Sequence, residues 1–504
     1  VGVFASQGGG ASPGEAPADR GLMLGATIAC GLVGALALAQ SYLGFDLLPQ
    51  VKQPAAPFMQ RNVLAQALVP SIPLALGAAL LARRHSWRWV AFGCAALGSG
   101  ALVATRTRCA WIAVACSLAL AFLFVLLRRP RVARAALAGF ALVLVVAILP
   151  GVVDPPEERR LPSVKRAIEL LTYEGESSVS VRGALFANTL RMGGAAPLVG
   201  HGAGRFGAVY PLFHSSARTT PGFGLDKRPE HAHNEFLHAA SELGVVAALA
   251  LALFLAGGLV RAIRDALKEG RPELALWQGA ASLALLGVLV HAQGSFPLRS
   301  PASAFLAFAL AGIAWRPRKG SASTPRRFLC AETLFLVALL PALAALPYDA
   351  RRQESLARAL ESYAAGDPAA ALAHAQAPSG HRFRARTRGL ATMIVFESDK
   401  DAARTLPVLE NALAADPHNL NLLLATGARR LKAGQADAAT QAFDHALEID
   451  ASLGRAWLGK AMSELELGDR EEAARACLRA LLAEPPPEAA ELFCVGNRLV
   501  PARP

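Results

Sequence analysis

The segment HAHNEFLH, residues 231–238, brings together side chains that can transfer a proton. An imidazole titrates near neutral pH and can take the proton of a hydroxyl group as a general base. We therefore assign this role to His233, with His231 as the second choice. Asn234 and Glu235 are candidates for substrate binding. The alternatives are that Asn234 is a helix N-cap and that Glu235 orients a histidine or favours the positive end of a helix.

Four arginines are candidates for binding an anionic substrate, because a guanidinium group holds phosphate oxygens through paired, charge-assisted hydrogen bonds. Arg106 and Arg108 lie in the string TRTR, where two apolar stretches meet, and Arg182 precedes the apolar helical segment GALFANTL. Arg205 is a weaker candidate. The alternative for Arg106 and Arg108 is that these long side chains only carry their charged ends to the membrane interface.

The pattern of these residues does not favour a metal or a cofactor. His231, His233, Glu235 and His238 lie close together, but residues two apart on a helix point to different sides, and the HExxH spacing of zinc enzymes is missing. Residues 202–207 satisfy GxGxxG, yet that pattern has meaning only between a strand and a helix of a parallel-sheet unit. We therefore expect neither a metal nor a cofactor.

Composition predicts that these groups lie in a membrane protein. Of the 504 residues, 53% are hydrophobic and 18% are charged, whereas an ordinary soluble domain carries about 25% charged residues. An apolar stretch of roughly 20 residues is long enough to span a bilayer as a helix. We predict an all-α fold, a polytopic transmembrane helix bundle followed by a helical-repeat domain. Its nine spans lie near 22–42, 62–82, 87–104, 109–127, 132–150, 236–260, 274–291, 298–315 and 328–346.

Orientation follows from Lys and Arg, which are enriched in short cytoplasmic loops. With the amino terminus inside, the cytoplasmic connections contain sixteen of these residues and the short opposite loops contain five. This predicts that the long loop and the residues after 347 face the periplasm. The formal net charge of +13 follows the loops without a stripe of interleaved aromatic residues, so we expect no nucleic-acid partner.

The predicted spans and loops divide the chain into five segments. These are a flexible segment at 1–21, a first transmembrane helix group at 22–150, a large periplasmic loop with the active-site motifs at 151–235, a second transmembrane helix group at 236–346, and a repeat domain at 350–504.

The last segment repeats with a period of 34 residues, a step that separates Gly366, Lys400, Gly434 and Gly468. This period resembles tetratricopeptide repeats, whose paired helices stack into an α-solenoid. The alternative is an Ala-rich helical bundle without repeat architecture. The seven cysteines mostly lie in apolar runs and form no CxxC pair, so we interpret them as small hydrophobic residues.

Taken in order, TRTRCAWIA, RGAL, PLVGHGAGRF and HAHNEFL resemble the O-antigen ligase and polymerase superfamily, which includes bacterial O-linked oligosaccharyltransferases. The similarity covers about residues 95–315. It implies a metal-independent glycosyltransferase of the bacterial inner membrane that moves a glycan from polyprenyl diphosphate to an acceptor hydroxyl on the periplasmic face. In this interpretation the arginines bind the diphosphate and His233 deprotonates the acceptor.

The acceptor stays open, because a ligase, a polysaccharide polymerase and a protein O-oligosaccharyltransferase share the donor. The expected partners are thus the lipid-linked glycan, membrane lipids, and lipid A core, polysaccharide or protein as acceptor, with a protein partner on the repeats. A different class of function is a non-catalytic transporter or scaffold of envelope polysaccharide assembly. A transporter usually places ionisable residues at mid-membrane. Here polar residues collect on one side, which favours an enzyme.

Overall fold

The computed structural model describes residues 17–45, 60–128, 178–214, 229–270, 272–315, 401–483 and 486–501, with isolated positions at 54, at 56–58 and between 358 and 374. Over these residues all regular structure is helical, which confirms the predicted all-α class. The chain divides into two compact units. The first comprises Val1–Arg182, Pro197–Gly200 and His231–Arg318, and the second comprises Gly183–Ala196, His201–Glu230 and Lys319–Pro504.

Ten α-helices are described before residue 316. They are α1 (Pro17–Leu43), α2 (Arg61–Leu81), α3 (His85–Ala104), α4 (Arg108–Arg128), α5 (Ser178–Ala195), the short α6 (Phe206–Val209), α7 (Glu235–Leu243), α8 (Val245–Lys268), α9 (Pro272–His291) and α10 (Pro301–Ala314). All except α6 and most of α5 belong to the first unit.

In the first unit α1, α2 and α3 pack on one another, and α9 packs against α2, α4 and α8. The core between them is built from alanine and larger apolar side chains such as Leu64, Ile72 and Phe92. Helices α1 and α3 approach closely at Gly34, where an added Cβ atom would lie 2.7 Å from the backbone nitrogen of Gly98. Small residues at such crossings are typical of helices packed in an apolar surrounding.

Five described helices are long and apolar enough to cross a membrane. They are Gly21–Leu43, Arg61–Leu81, His85–Ala104, Val245–Lys268 and Glu273–His291, and two shorter apolar helices cover Arg108–Leu123 and Pro301–Ala314. The predicted spans at 132–150 and 328–346 lie outside the described residues. These helices support a multi-pass membrane protein.

The predicted span at 236–260 was wrong at its start. The chain forms two helices there, because Gly244 adopts a left-handed backbone with φ 87 between α7 and α8. An added Cβ atom at Gly244 would collide with the carbonyl group of Leu198. The N–H of Val245 donates to the carbonyl of Pro197 at 2.7 Å. The apolar helix therefore begins at Val245, and α7 is a separate element.

The described carboxyl-terminal helices of the second unit are α11 (Ala402–Ala415), α12 (Leu420–Lys432), α13 (Ala436–Ile449), α14 (Gly454–Leu467), α15 (Arg470–Leu481) and α16 (Glu488–Gly496). Each packs against the next along the chain. The starts of α11, α13 and α15 are 34 residues apart, and so are those of α12, α14 and α16. The sequence period is thus a period of helix pairs.

Two cysteines were wrongly interpreted as merely small hydrophobic residues. Cys477 of α15 and Cys494 of α16 form a disulfide, with Cα atoms 5.7 Å apart and a sequence separation of 17. The spacing resembles no common motif, and only the packing of α15 on α16 brings the two side chains together. The free cysteines among the described residues are Cys30, Cys94, Cys109 and Cys116.

Candidate functional site

The candidate site of the first unit is built around the start of α7. Asn234 is the N-cap of this helix, because its side-chain oxygen accepts hydrogen bonds from two backbone N–H groups of the first turn at 3.0 and 3.1 Å. Its side-chain amide donates to the backbone oxygen of Gln293 at 3.3 Å. The N–H of Glu235 donates to the carbonyl of Ala292 at 2.9 Å. The start of α7 is therefore fixed to the chain that follows α9.

Both predicted histidines contact one aromatic side chain. The ring centroid of Phe296 lies 4.5 Å from that of His231 and 5.3 Å from that of His233. His233 has φ 53, in the left-handed region that residues other than glycine seldom adopt. Phe296 was not among the predicted site residues, because a phenylalanine next to a membrane span carries no functional signal in the sequence.

Burial keeps the two imidazoles neutral. The pKa of His233 is lowered to about 4, first by burial and then by the positive charge of Arg182 and by His238. The pKa of His231 is lowered to about 3, first by burial and then by His238 and Arg299. A neutral imidazole has a lone pair that can accept a proton, so both rings are in the state that a general base requires.

Arg182 is the predicted arginine that lies within electrostatic reach of His233. Its Nη1 lies 3.0 Å from the Sγ of Cys109, and its charge acts on the imidazole of His233. Among the described residues, no carboxylate forms an ion pair with Arg182. A thiol and a neutral imidazole do not neutralise a guanidinium group, so the charge of Arg182 is available to an external anion.

Arg299 is a functional candidate that was not predicted from the sequence. In contrast to Arg182, it lies next to two carboxyl groups. Its Nη2 lies 3.1 Å from the Oε2 of Glu242, and its Nε lies 3.7 Å from the Oε1 of Glu235. The other oxygen of Glu242 lies 3.2 Å from the Nε2 of His238. The charge of Arg299 is thus engaged within the protein. Residues four apart on a helix lie on the same face, so the spacing of His238 and Glu242 was a sequence signal for the contact between these two side chains.

The carboxyl group of Glu235 is buried, with 5% of the residue exposed. Burial raises its pKa to about 7, against the lowering effect of Arg299 and of the backbone of Leu298. Its Oε2 has no hydrogen-bond partner among the described residues. Within that part of the chain, no group of three or more His, Cys, Asp or Glu side chains is arranged to hold a metal ion.

The other predicted arginines, Arg106, Arg108 and Arg205, lie in two other parts of the chain. Arg106 occupies the turn between α3 and α4 with φ 56, and Arg108 begins α4 next to Cys109. The contact between Cys109 and Arg182 therefore links the start of α4 to α5. Arg205 lies in the second unit, where its backbone precedes the short helix α6 and the residue is exposed.

Two comparisons with known proteins bear on this site. Residues 93–252 match the O-antigen ligase family model. The matched region includes Arg106, Arg108, Arg182 and the whole of α7, whereas Phe296 and Arg299 lie beyond its end. A comparison with curated protein sequences gives no match. The O-antigen ligase match supports a membrane enzyme of the ligase and polymerase type.

Proposed function

We propose that this chain is a membrane glycosyltransferase that transfers a glycan from polyprenyl diphosphate to an acceptor hydroxyl, as an O-antigen ligase does. The observation that carries the proposal is the pair of Arg182 and His233, a cation without a carboxylate partner among the described residues beside a neutral imidazole. A protonated His233 could not act as a base. An Arg182 paired with a carboxylate could not bind the diphosphate.

In the proposed reaction the bond between the anomeric carbon and the diphosphate oxygen breaks, and a bond from the acceptor oxygen to that carbon forms. The electron pair of the broken bond leaves with the diphosphate, whose charge Arg182 stabilises. The proton of the acceptor hydroxyl passes to the neutral imidazole of His233. No metal or redox partner enters this balance, and the polyprenyl diphosphate leaves as the second product.

Donor binding strengthens the base. In the free protein the charge of Arg182 is one cause of the low pKa of His233. A diphosphate bound to Arg182 offsets that charge, so the imidazole of the complex attracts a proton more strongly than the imidazole of the free protein. The proton-accepting power of His233 therefore rises when the substrate is in place.

Arg106 and Arg108 are proposed as further ligands of the diphosphate. They flank Thr107, whose hydroxyl lies 3.2 Å from the side-chain oxygen of Asn62, and this contact ties the turn to α2. Arg106 and Arg108 lie within three positions of Cys109 in the chain, and Cys109 is the residue that Arg182 contacts. Asn234 and Glu235 act in this proposal by positioning α7.

We place the reaction on the periplasmic face of the inner membrane. The distribution of basic loop residues supports this orientation, and the disulfide between Cys477 and Cys494 supports it independently. Disulfides persist in oxidising compartments such as the periplasm and are rare in the cytosol. We further propose that α11 to α16 are tetratricopeptide repeats, supported by helix starts that recur every 34 residues. Such repeats would present a surface to the acceptor or to a protein partner.

The test is reconstitution of the purified chain in liposomes with a radiolabelled polyprenyl-diphosphate glycan and candidate acceptors. We expect His233→Ala and Arg182→Ala each to lower turnover by about 100-fold or more. The matched controls are His85→Ala and Arg264→Ala, both at exposed helical positions away from the site. Normal turnover in the site variants would overturn the assignment, and binding of the glycan without turnover in the intact chain would favour a scaffold.

A further inference from the structure

The backbone at His233 is held in an unfavourable conformation. Its φ of 53 lies in the left-handed region, where the Cβ atom of an L-residue is crowded. Residues other than glycine keep such a conformation only when their surroundings impose it, and such residues cluster at functional sites. The groups that impose this conformation therefore also decide where the imidazole of His233 points.

One of these groups is His238. Its Nδ1 accepts a hydrogen bond from the backbone N–H of Ala232 at 3.1 Å. Ala232 is the residue immediately before His233 and is fully buried. An Nδ1 that accepts a hydrogen bond leaves the proton of a neutral imidazole on Nε2. The Nδ1 of His238 thus contacts the backbone next to His233, and its Nε2 carries the proton.

Glu242 lies next to the Nε2 of His238. Its Oε1 lies 3.2 Å from the Nε2 of His238, with 2% and 4% of the two side chains exposed. Its Oε2 accepts a hydrogen bond from the Nη2 of Arg299 at 3.1 Å. A carboxyl group that contacts both an imidazole and a guanidinium group restrains the positions of both partners. Four groups are therefore connected in a row, from Arg299 through Glu242 and His238 to the backbone of Ala232.

The same set of contacts also restrains Phe296. Phe296 contacts the rings of both histidines of the segment, and the N–H of Arg299 donates to the carbonyl of Phe296 at 3.1 Å. The ion pair with Glu242 therefore holds the turn that carries Phe296 as well as helix α7. Both the backbone before His233 and the aromatic side chain against its ring are fixed by one network.

We propose that His238, Glu242 and Arg299 are positioning residues that hold the imidazole of His233 in its reactive orientation. This inference rests on the proposed function, since it assigns a purpose to the conformation of the proposed base. None of the three residues takes part in the chemical step. Their effect on the reaction passes through the backbone of Ala232 and through Phe296.

The sharpest test compares two substitutions of His238 that each preserve one half of its role. In His238→Asn the side-chain oxygen occupies the place of Nδ1 and can accept from Ala232, while the contact with Glu242 is lost. In His238→Gln the amide nitrogen reaches the place of Nε2 and can donate to Glu242, while the acceptor for Ala232 is lost. We expect His238→Asn to retain most of kcat and His238→Gln to lose about 100-fold, as a misplaced catalytic group does.

Two further readouts separate positioning from a structural role. The KM for the donor and the binding of polyprenyl diphosphate should stay within about twofold of the intact chain, and the pH profile of kcat should keep its shape. Glu242→Gln and Arg299→Lys should also lower kcat, through the turn that carries Phe296, with Arg299→Lys the milder change because a lysine still supplies a cation. Equal kcat values for the Asn and Gln variants, or a loss confined to KM, would overturn the proposal.

The proposed function fails in a distinguishable way. If His233→Ala were as active as the unsubstituted protein, the proposed function and the positioning role would both be refuted, because there would be no base to position. If His233→Ala is inactive while His238→Gln is fully active, the proposed function stands and the positioning role is refuted.

Discussion

The Nη1 of Arg182 lies 3.0 Å from the Sγ of Cys109, and this contact joins the start of α5 to the start of α4 in the first unit. Arg182 is separated from Cys109 by 73 positions in the sequence. The thiol is a weak acceptor and does not neutralise the guanidinium group. The contact therefore orients a cation without consuming its charge, which is the property that an anion site needs.

The first prediction concerns the geometry of that cation. Arg182→Lys keeps the positive charge but loses the planar pair of donors that fits a diphosphate. We expect the KM for the polyprenyl-diphosphate donor to rise by about tenfold, because one charge-assisted hydrogen bond contributes roughly 1.5 kcal/mol or more. Steady-state kinetics in liposomes measure this change. Arg264→Lys is the matched control, and an unchanged KM in Arg182→Lys would argue against a paired contact.

The second prediction is the pH dependence of the reaction. The pKa of His233 is lowered to about 4, so the imidazole is neutral and active above that pH and becomes protonated and inactive below it. The titration of His233 in the free enzyme affects kcat/KM. We expect this group to leave kcat/KM level down to about pH 5 and to lower it below that pH. A half-maximal value near pH 6.5, the ordinary range of histidine, would contradict the burial of this ring.

The third prediction uses Glu235. Burial raises its pKa to about 7 in the folded protein, so the folded state binds a proton that the unfolded state has already released above about pH 4.5. Stability from this group is therefore full below pH 4.5 and declines as the pH rises towards and through 7. Glu235→Gln removes this loss. We expect it to stabilise the protein at pH 8 relative to pH 5, by on the order of 2 kcal/mol.

Thermal unfolding in detergent at the two pH values measures this difference. The control is Glu273→Gln, an exposed carboxylate on α9 that pairs with Arg83 at the surface. Surface ion pairs contribute little, so the control should show no comparable dependence on pH. Equal unfolding temperatures of Glu235→Gln and the intact chain at both pH values would contradict the raised pKa.

The fourth prediction concerns Gly244. A methyl group at this position collides with the carbonyl of Leu198, and the φ of 87 disfavours any side chain. We expect Gly244→Ala to lower stability by roughly 2 kcal/mol or more and to reduce activity, because α7 loses its support on the segment at 197–200. The control is Gly93→Ala in α3, where an added Cβ atom meets nothing within 4 Å. Similar expression and unfolding of the two variants would refute the close contact.

The fifth prediction concerns the disulfide. Replacing Cys477 and Cys494 together by alanine should destabilise the carboxyl-terminal helices by about 3 kcal/mol, the contribution expected of a crosslink that closes a loop of this length. Limited proteolysis of membranes measures the change at α15 and α16. In cells, a thiol reagent should label these two positions only after reduction. Labelling without reduction would place them in a reducing compartment and would contradict the proposed orientation.

The sequence by itself determined those features that follow from local composition. Apolar stretches of sufficient length predicted the helices at 22–42, 62–82, 87–104 and 274–291, because a helix in an apolar surrounding satisfies its own backbone hydrogen bonds. The period of 34 residues predicted the recurring helix starts of the carboxyl-terminal region. The candidate histidines and Asn234, the N-cap of α7, were also predicted, because they are neighbours in the chain.

Only the tertiary structure decided which groups meet around them. Arg299 is 57 positions from Glu242, and Cys109 is 73 from Arg182, so no periodic pattern joins either pair. The break at Gly244 comes from a backbone that approaches from Leu198, which a count of apolar residues cannot detect. A local pattern records the preference of each segment for helix, whereas the partner of a charged side chain depends on how the finished helices pack.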